Sequence, residues 1–166
     1  MPATKNYILT AAIAEKKMRR MALEIAEQNS GEAEIILAGI RESGKIVAQC
    51  MQKMLQEMTN IKATLISISL DKRKPKEVTL EPAMDLDNKI VIVVDDVSNS
   101  GRTLLYALKP FLEFHPKKIQ TLILVERRHN DFPVRPDYIG LSITTTLQEH
   151  IIVEVDEEKV TGAYLR

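Results

Sequence analysis

The chain has 166 residues, 45% of them hydrophobic and 28% charged, a composition that supports one globular domain over residues 1–166 with a core of its own. Its 23 basic and 23 acidic side chains cancel, which excludes a whole-molecule field drawing it to nucleic acid and leaves only a local basic face open. Cys50 is the only cysteine; it excludes an internal disulfide and fits a reducing, cytoplasmic setting, while no apolar run approaches the roughly 20 residues of a membrane span.

The opening MPATKNYILTAAIAEKK lacks the apolar core and small-residue cleavage site of a signal peptide. Residues 8–28 are predicted as an amphipathic helix. Ile8, Ala12, Met18, Met21, Leu23 and Ile25 are its apolar positions, with Lys16, Lys17, Arg19 and Arg20 between them. EIILAGI, residues 34–40, is a buried strand, and RESG is a tight connection to a helix over 45–58. There Ile46, Cys50, Met54 and Met58 recur every four residues beside Val47, Met51 and Leu55. Cys50 on that apolar face is a packed thiol.

ATLISISL, residues 63–70, alternates like a strand, and the charged segment 71–82 with two prolines is an exposed loop or hairpin. KIVIVVDD, residues 89–96, is a buried strand, followed by a helix in GRTLLYALKPFLEF that Pro110 kinks or ends. IQTLILVE, residues 119–126, is a third buried strand, and RRHNDFPVRP a loop. YIGLSITTT and IIVEVDEE read as shorter strands, with the acidic run Asp156 to Glu158 exposed. Alternating strands and helices predict an α/β fold with a central parallel sheet flanked by helices. Ligands bind beyond the C-terminal strand ends of such sheets, where AGIRESG, VDDVSNSGRT and VERRHN should converge.

The chemistry concentrates in KIVIVVDDVSNSGRT. Five apolar residues run into Asp95 and Asp96, a costly placement for two like charges unless a ligand or metal meets them. The following SNSGRT joins a strand end to a helix start, so its backbone N–H groups form an anion cradle. Ser98, Ser100 and Thr103 add hydroxyls, and Gly101 permits a positive φ and close approach by a phosphate. The Walker A spacing is absent. Carboxylates accept from sugar hydroxyls and sit beside magnesium, so a phosphate cradle next to them points to a sugar phosphate. The plain alternative is a strand end with a serine-rich helix cap. The three histidines and Cys50 show no metal-ligand spacing, and His115 and His150 read as surface residues.

VIVVDDVSNSGRT resembles the phosphoribosyl pyrophosphate motif of type I phosphoribosyltransferases, in which a hydrophobic strand meets two acidic residues and a small-residue loop ending T/S-G-x-T. LILVERRHNDFPVRPDYIGLSI is similar to the segment after that motif in the pyrimidine operon attenuation regulators, which are also uracil phosphoribosyltransferases. The shared features are the apolar strand, the acidic–Arg pair, His129, Pro133, Arg135 and the run Asp137 to Gly140. The likeness spans residues 8–166 and is weakest between 61 and 88.

The resemblance implies a type I phosphoribosyltransferase-like fold with a small C-terminal and lid β region. It also implies transfer of ribose 5-phosphate from phosphoribosyl pyrophosphate to a nucleobase, uracil or a related pyrimidine, with release of pyrophosphate. By the same resemblance Ser98, Asn99, Ser100, Gly101, Arg102 and Thr103 hold the 5-phosphate. Asp95 and Asp96 meet the ribose hydroxyls, directly or through Mg2+. Arg41, Glu42, Ser43 and Gly44 wrap the pyrophosphate, the backbone of Val125, Glu126 and Arg127 faces the base, and residues 71–80 are a lid carrying Lys72, Arg73 and Lys74. A homodimer is implied, with the Met- and Ala-rich first helix as a possible surface for it.

The chain departs from those regulators in places. Their pyrophosphate loop reads Lys-Thr-Arg-Gly; here Glu42 brings an acid that must point outward, and no basic residue precedes Gly44. The lid arginine aligns with Leu70, and Lys72, Arg73, Lys74 and Lys76 are candidates to stand in only by their nearness in sequence. Arg128 replaces a glycine and Leu141 a lysine. RNA contact, the regulators' second activity, would fall to Lys16, Lys17, Arg19, Arg20, His129 and Arg135, although Leu141 and the zero net charge weigh against it. Two alternatives therefore stand beside the enzyme: a nucleotide-sensing RNA-binding regulator with weak or no catalysis, and a structural subunit.

Overall fold

The computed structural model describes residues 4–166. The order of elements is β1 (Asn6–Thr10), α1 (Ala11–Gln28), β2 (Glu34–Ile40), α2 (Ser43–Met58), β3 (Lys62–Leu70), β4 (Val78–Glu81), β5 (Ile90–Ser98), α3 (Arg102–Ala107), a 3-10 turn at Lys109–Glu113, β6 (Lys118–Arg127), β7 (Tyr138–Ile143), β8 (Ile151–Val155) and β9 (Val160–Leu165). Six strands form the main sheet in the order β4-β3-β2-β5-β6-β7, parallel throughout except for the antiparallel β4 at one edge.

The period of two along each strand divides the core. Ile35, Leu37, Ile92, Val94, Leu122 and Leu124 face α1 and α2, where Met18, Met21, Ile25, Val47, Met51 and Leu55 meet them. Ile36, Ala38, Val91, Val93 and Ile123 point the other way, onto Leu104, Ala107 and Phe111 of the α3 region. Both faces are covered, which is why these strands read as continuous apolar runs.

Several expectations change. Residues 8–10 are not the start of the first helix; they lie in β1, and Thr10 caps α1 by accepting from the Ile13 N–H at 3.3 Å. The apolar face of α1 is not a free interface, because Ala14, Met18, Met21 and Ala22 are buried in this chain's own core. The helix after β5 is cut to six residues, and Pro110 turns its continuation into the 3-10 form. The segment 71–82 is a hairpin, with β4 returning along β3. TTT after β7 is loop, and β9 at the C-terminus has no counterpart in the sequence reading.

β1, β9 and β8 form a second, antiparallel sheet in that order. Its Leu9, Ile151, Val153, Val160 and Ala163 join the core beneath α1 and α2, so it sits as a hood at one end of the main sheet. At the far end a buried polar cluster fixes α1 to β6 and β7. The Tyr138 hydroxyl donates to Gln120 Oε1 at 2.7 Å, and Asn29 Nδ2 to the Ile25 carbonyl at 2.9 Å. No helix among the described residues is long and apolar enough to cross a membrane.

Candidate active site

β2 and β5 are neighbours whose onward connections diverge, β2 to β3 on one side and β5 to β6 on the other. That divergence opens a crevice beyond the C-terminal strand ends. Residues 41–44 leave β2 there, and residues 95–98 end β5 before 99–101 turn away from it.

Asp95 is 1% exposed, one residue past the apolar run that places it. The Asp96 N–H donates to Asp95 Oδ1 at 2.9 Å, and the Val97 N–H to Asp96 Oδ1 at 2.8 Å. Lys72 crosses from the β3–β4 connection and sets Nζ 3.3 Å from both Asp95 carboxylate oxygens and 3.8 Å from Asp96 Oδ1. Burial, reinforced by the charge of Asp96, pushes the Asp95 carboxyl well above the usual range, with Lys72 pulling the other way. Burial also works against the Lys72 ammonium, but Asp95 and Asp96 outweigh it and hold its pKa above that of an ordinary lysine. Of the four basic lid residues, Lys72 is the one that reaches the aspartates; Leu70 does not carry that role.

Beyond Asp96 the chain bends around a cavity of about 370 Å³. Asp96, the whole run from Ser98 to Thr103, Lys72 and Ile151 of the hood line it. Gly101 has φ 87°, a conformation that costs a side chain, and a Cβ there would lie 3.2 Å from the Val134 carbonyl. The loop after β6 buttresses the bend: the N–H groups of Asp131 and Phe132 donate to the Ser100 carbonyl at 3.0 and 3.1 Å. Ser98 is buried at the end of β5, and Ser100 Oγ accepts from the Arg102 N–H at 3.3 Å. The Arg102 guanidinium turns to the lid, donating at 3.2 Å to the carbonyls of Lys72 and Arg73.

Arg41, Glu42 and Ser43 line an adjoining hollow of about 840 Å³ with Lys45, Leu70 and Asp156. Glu42 is exposed but lines this hollow, so its charge is not turned clear of it. The Arg41–Glu42 peptide is cis. Gly44 is buried against the aspartate pair; a Cβ on it would stand 2.8 Å from Asp95 Oδ1. The loop after β2 and the acidic pair therefore converge. Val125 and Glu126 lie in β6, away from the wall of the cradle cavity. The Glu126 carboxylate accepts from the Ser142 hydroxyl at 2.8 Å, Arg128 Nε donates to Ser142 Oγ at 2.9 Å, and Arg127 reaches the Thr146 carbonyl. Glu126, Arg128, His129 and Arg135 border a separate hollow of about 550 Å³. Ile151 is a cavity residue to which sequence reasoning gave no role, since it arrives from a different sheet.

Among the described residues no three His, Cys, Asp or Glu side chains gather into a metal cage. The hard-oxygen donor set is the pair Asp95 and Asp96. That fits magnesium, which takes one or two carboxylates and completes its shell with substrate oxygens and water.

Residues 6–158 match the phosphoribosyl transferase domain family. The bifunctional protein pyrR of Enterococcus faecalis is 32% identical over 162 residues, covering 92% of this chain and 91% of that protein. The bifunctional protein PyrR of Limosilactobacillus reuteri is 33% identical over 164 residues, with 92% of each covered. The hypoxanthine phosphoribosyltransferase of Trypanosoma cruzi shares the fold, with a TM-score of 0.80 at 15% identity over 96% of this chain and 95% of that one. So does a hypoxanthine-guanine phosphoribosyltransferase of Bacillus anthracis, with a TM-score of 0.77 at 22% identity over 98% of each chain.

Proposed function

The chain belongs to the phosphoribosyl transferase domain family and is a phosphoribosyltransferase; we propose that its donor is phosphoribosyl pyrophosphate and its acceptor a pyrimidine base, uracil or a near relative. The observation that carries the donor assignment is the carboxylate pair, Asp95 buried and Asp96 half-buried, at the start of an amide- and hydroxyl-lined bend whose cavity Asp96 itself lines. The PyrR proteins that the chain resembles over most of its length support a pyrimidine acceptor.

In this reading the amides and hydroxyls of Ser98 to Thr103 hold the 5-phosphate, and Asp95 and Asp96 accept from the ribose hydroxyls. Arg41 to Gly44 border the pyrophosphate, with Arg41 and Lys45 as the cations of that hollow. The base approaches between Ile151 and the end of β6, at Val125 to Arg127. As the C1–pyrophosphate bond breaks and the C1–N bond forms, positive charge develops on the sugar, and the two carboxylates favour it. Magnesium, when bound by Asp95 and Asp96 with donor oxygens, supplies neutralising charge for the leaving group. Lys72, Arg73 and Lys74 sit where a lid excludes water from the reacting centre. We assign all 166 residues to one functional unit. The lone thiol Cys50 supports a cytoplasmic setting, and exposed Tyr106 and Leu112 near α3 offer a surface for a homodimer.

The test is pyrophosphate release from phosphoribosyl pyrophosphate and Mg2+ across a panel of bases, beside Asp95→Asn. Release that requires uracil or one related base, and that drops at least ~100-fold in the mutant, supports the enzyme. No release with any base from folded protein sinks it. One observation favours a second activity: Arg128, His129 and Arg135 border one hollow, beside Glu126. It suits a regulator that binds RNA, for which affinity should depend on nucleotide and fall steeply with salt.

A further inference from the structure

Two contacts cross the donor cavity in opposite directions. Lys72 reaches down from the lid root to Asp95 and Asp96, at 3.3 and 3.8 Å. Arg102 reaches up from the cradle to the Lys72 and Arg73 carbonyls, each at 3.2 Å. A third strap, from Lys109 Nζ to the Lys76 carbonyl at 3.2 Å, ties the other end of the segment to the turn after α3. The groups that a sugar phosphate needs are thus the groups that hold the lid. Asp95 is buried at 1% exposure, and a second cation cannot share its oxygens with an ammonium without like-charge repulsion. Arg102 likewise cannot donate Nη2 to two carbonyls and turn the same group to a phosphate.

We propose that this two-way clasp pins the root of the lid to the donor site and that a 5-phosphorylated ribose, with its divalent cation, releases it. The phosphate draws the Arg102 guanidinium off the lid carbonyls. The ribose hydroxyls and their cation take the Asp95 and Asp96 oxygens from Lys72. Residues 71–77 then keep the Lys109 strap and the packing of buried Pro75, and the stretch from Asp71 to Lys74 is free to be re-aimed. The lid is set loose by the donor sugar and not by the base. This inference rests on the donor assignment above.

Trypsin reads the clasp directly, because the Arg73–Lys74 bond lies in the pinned segment and Arg73 is exposed. The probe is ribose 5-phosphate with Mg2+, which carries the phosphate and hydroxyls but no pyrophosphate for a lid to close on. Cleavage after Arg73 is followed by mass spectrometry, with cleavage after Lys53, in the middle of α2, reporting global opening. Saturating ribose 5-phosphate is expected to speed the Arg73 cut about fivefold, the scale of losing a partly exposed ion-pair contact. Lys72→Met should cut about as fast without ligand, and Lys72→Arg should restore slow cutting. Ribose 5-phosphate that raises Tm while leaving the Arg73 cut unchanged or slower overturns the clasp and leaves the donor site standing. No Tm shift and no change in cutting overturns the donor assignment, and the clasp with it. Lys72→Met that cuts at the wild-type rate overturns the clasp whatever the ligand does.

Discussion

Gly44 has no side chain to offer, yet it sets where the acidic pair lies relative to the loop after β2. A Cβ would meet Asp95 Oδ1 at 2.8 Å and the Val94 carbonyl at 2.9 Å, so either the start of α2 or Asp95 must shift. Gly44→Ala is expected to cost about 1–3 kcal/mol in urea unfolding. Displacement of the aspartate should lower kcat/KM for base-dependent pyrophosphate release by about 100-fold. Gly31→Ala is the control: φ is 83° but no atom lies within 4 Å of the added methyl. It should lose about 1 kcal/mol to backbone strain and keep its kcat/KM. Tyr138 gives a second test, at the opposite end of the sheet. Burial, partly offset by its hydrogen bonds to Asn29 and Gln120, pushes its hydroxyl from near 10 up to about 12. The folded chain keeps a proton that the unfolded chain gives up above pH 10, so this contribution is whole below pH 10 and is lost as pH rises towards 12. Thermal melts of Tyr138→Phe should show a shallower alkaline decline over that window than wild type. At pH 7 the variant should be about 1 kcal/mol less stable, for the lost hydrogen bonds.

At the scale of elements, β7 is an edge strand, and Arg20 of α1 closes part of its open side. Its Nη2 donates at 2.9 Å to both the Ile139 and Gly140 carbonyls. Arg20→Gln should lower Tm by about 2–4 °C, from the loss of about 1 kcal/mol, and raise concentration-dependent scattering as the edge opens. Lys16→Gln and Lys17→Gln, with no hydrogen-bond or ion-pair partner among the described residues, should change neither reading. Arg20 also shows which elements were legible beforehand. The strands at 34–40, 89–96 and 119–126 announced themselves because both of their faces are buried, and an apolar run is then the only pattern available. β1 was absorbed into the helix prediction because Ile8 and Leu9 extend the apolar rhythm of α1 without a break. β9 was invisible because Thr161, Gly162 and Ala163 are too small and mixed to look like a strand; it exists by pairing with both β1 and β8. At the site the motif from Asp95 to Thr103 was readable, since one stretch of chain carries it all. Lys72 was not separable from its basic neighbours, because selecting it takes the path of the β3–β4 connection over the cavity.

For the whole molecule, zero net charge means that a highly anionic donor gains nothing from long-range attraction, and its affinity must be built locally. The local balance is specific. In the free protein Lys72 compensates Asp95 and Asp96, and ribose hydroxyls that replaced it alone would leave two carboxylates without a positive partner. Donor binding should therefore require a divalent cation far more than it requires low salt. At about 100 times Kd, a ligand that binds only the folded state adds about 2.7 kcal/mol, which for a chain of this size is about 5–10 °C in Tm. Phosphoribosyl pyrophosphate with Mg2+ is expected to give a shift of that order in differential scanning fluorimetry. The same donor with chelator should give less than about a third of it. Raising NaCl from about 50 to about 200 mM should take away much less than chelation does, because a buried aspartate is screened little. Equal shifts with and without the metal would mean that Asp95 and Asp96 meet the sugar directly, with another cation of the chain supplying the missing charge; Arg41, beside Gly44 at the same crevice, is the side chain to substitute next.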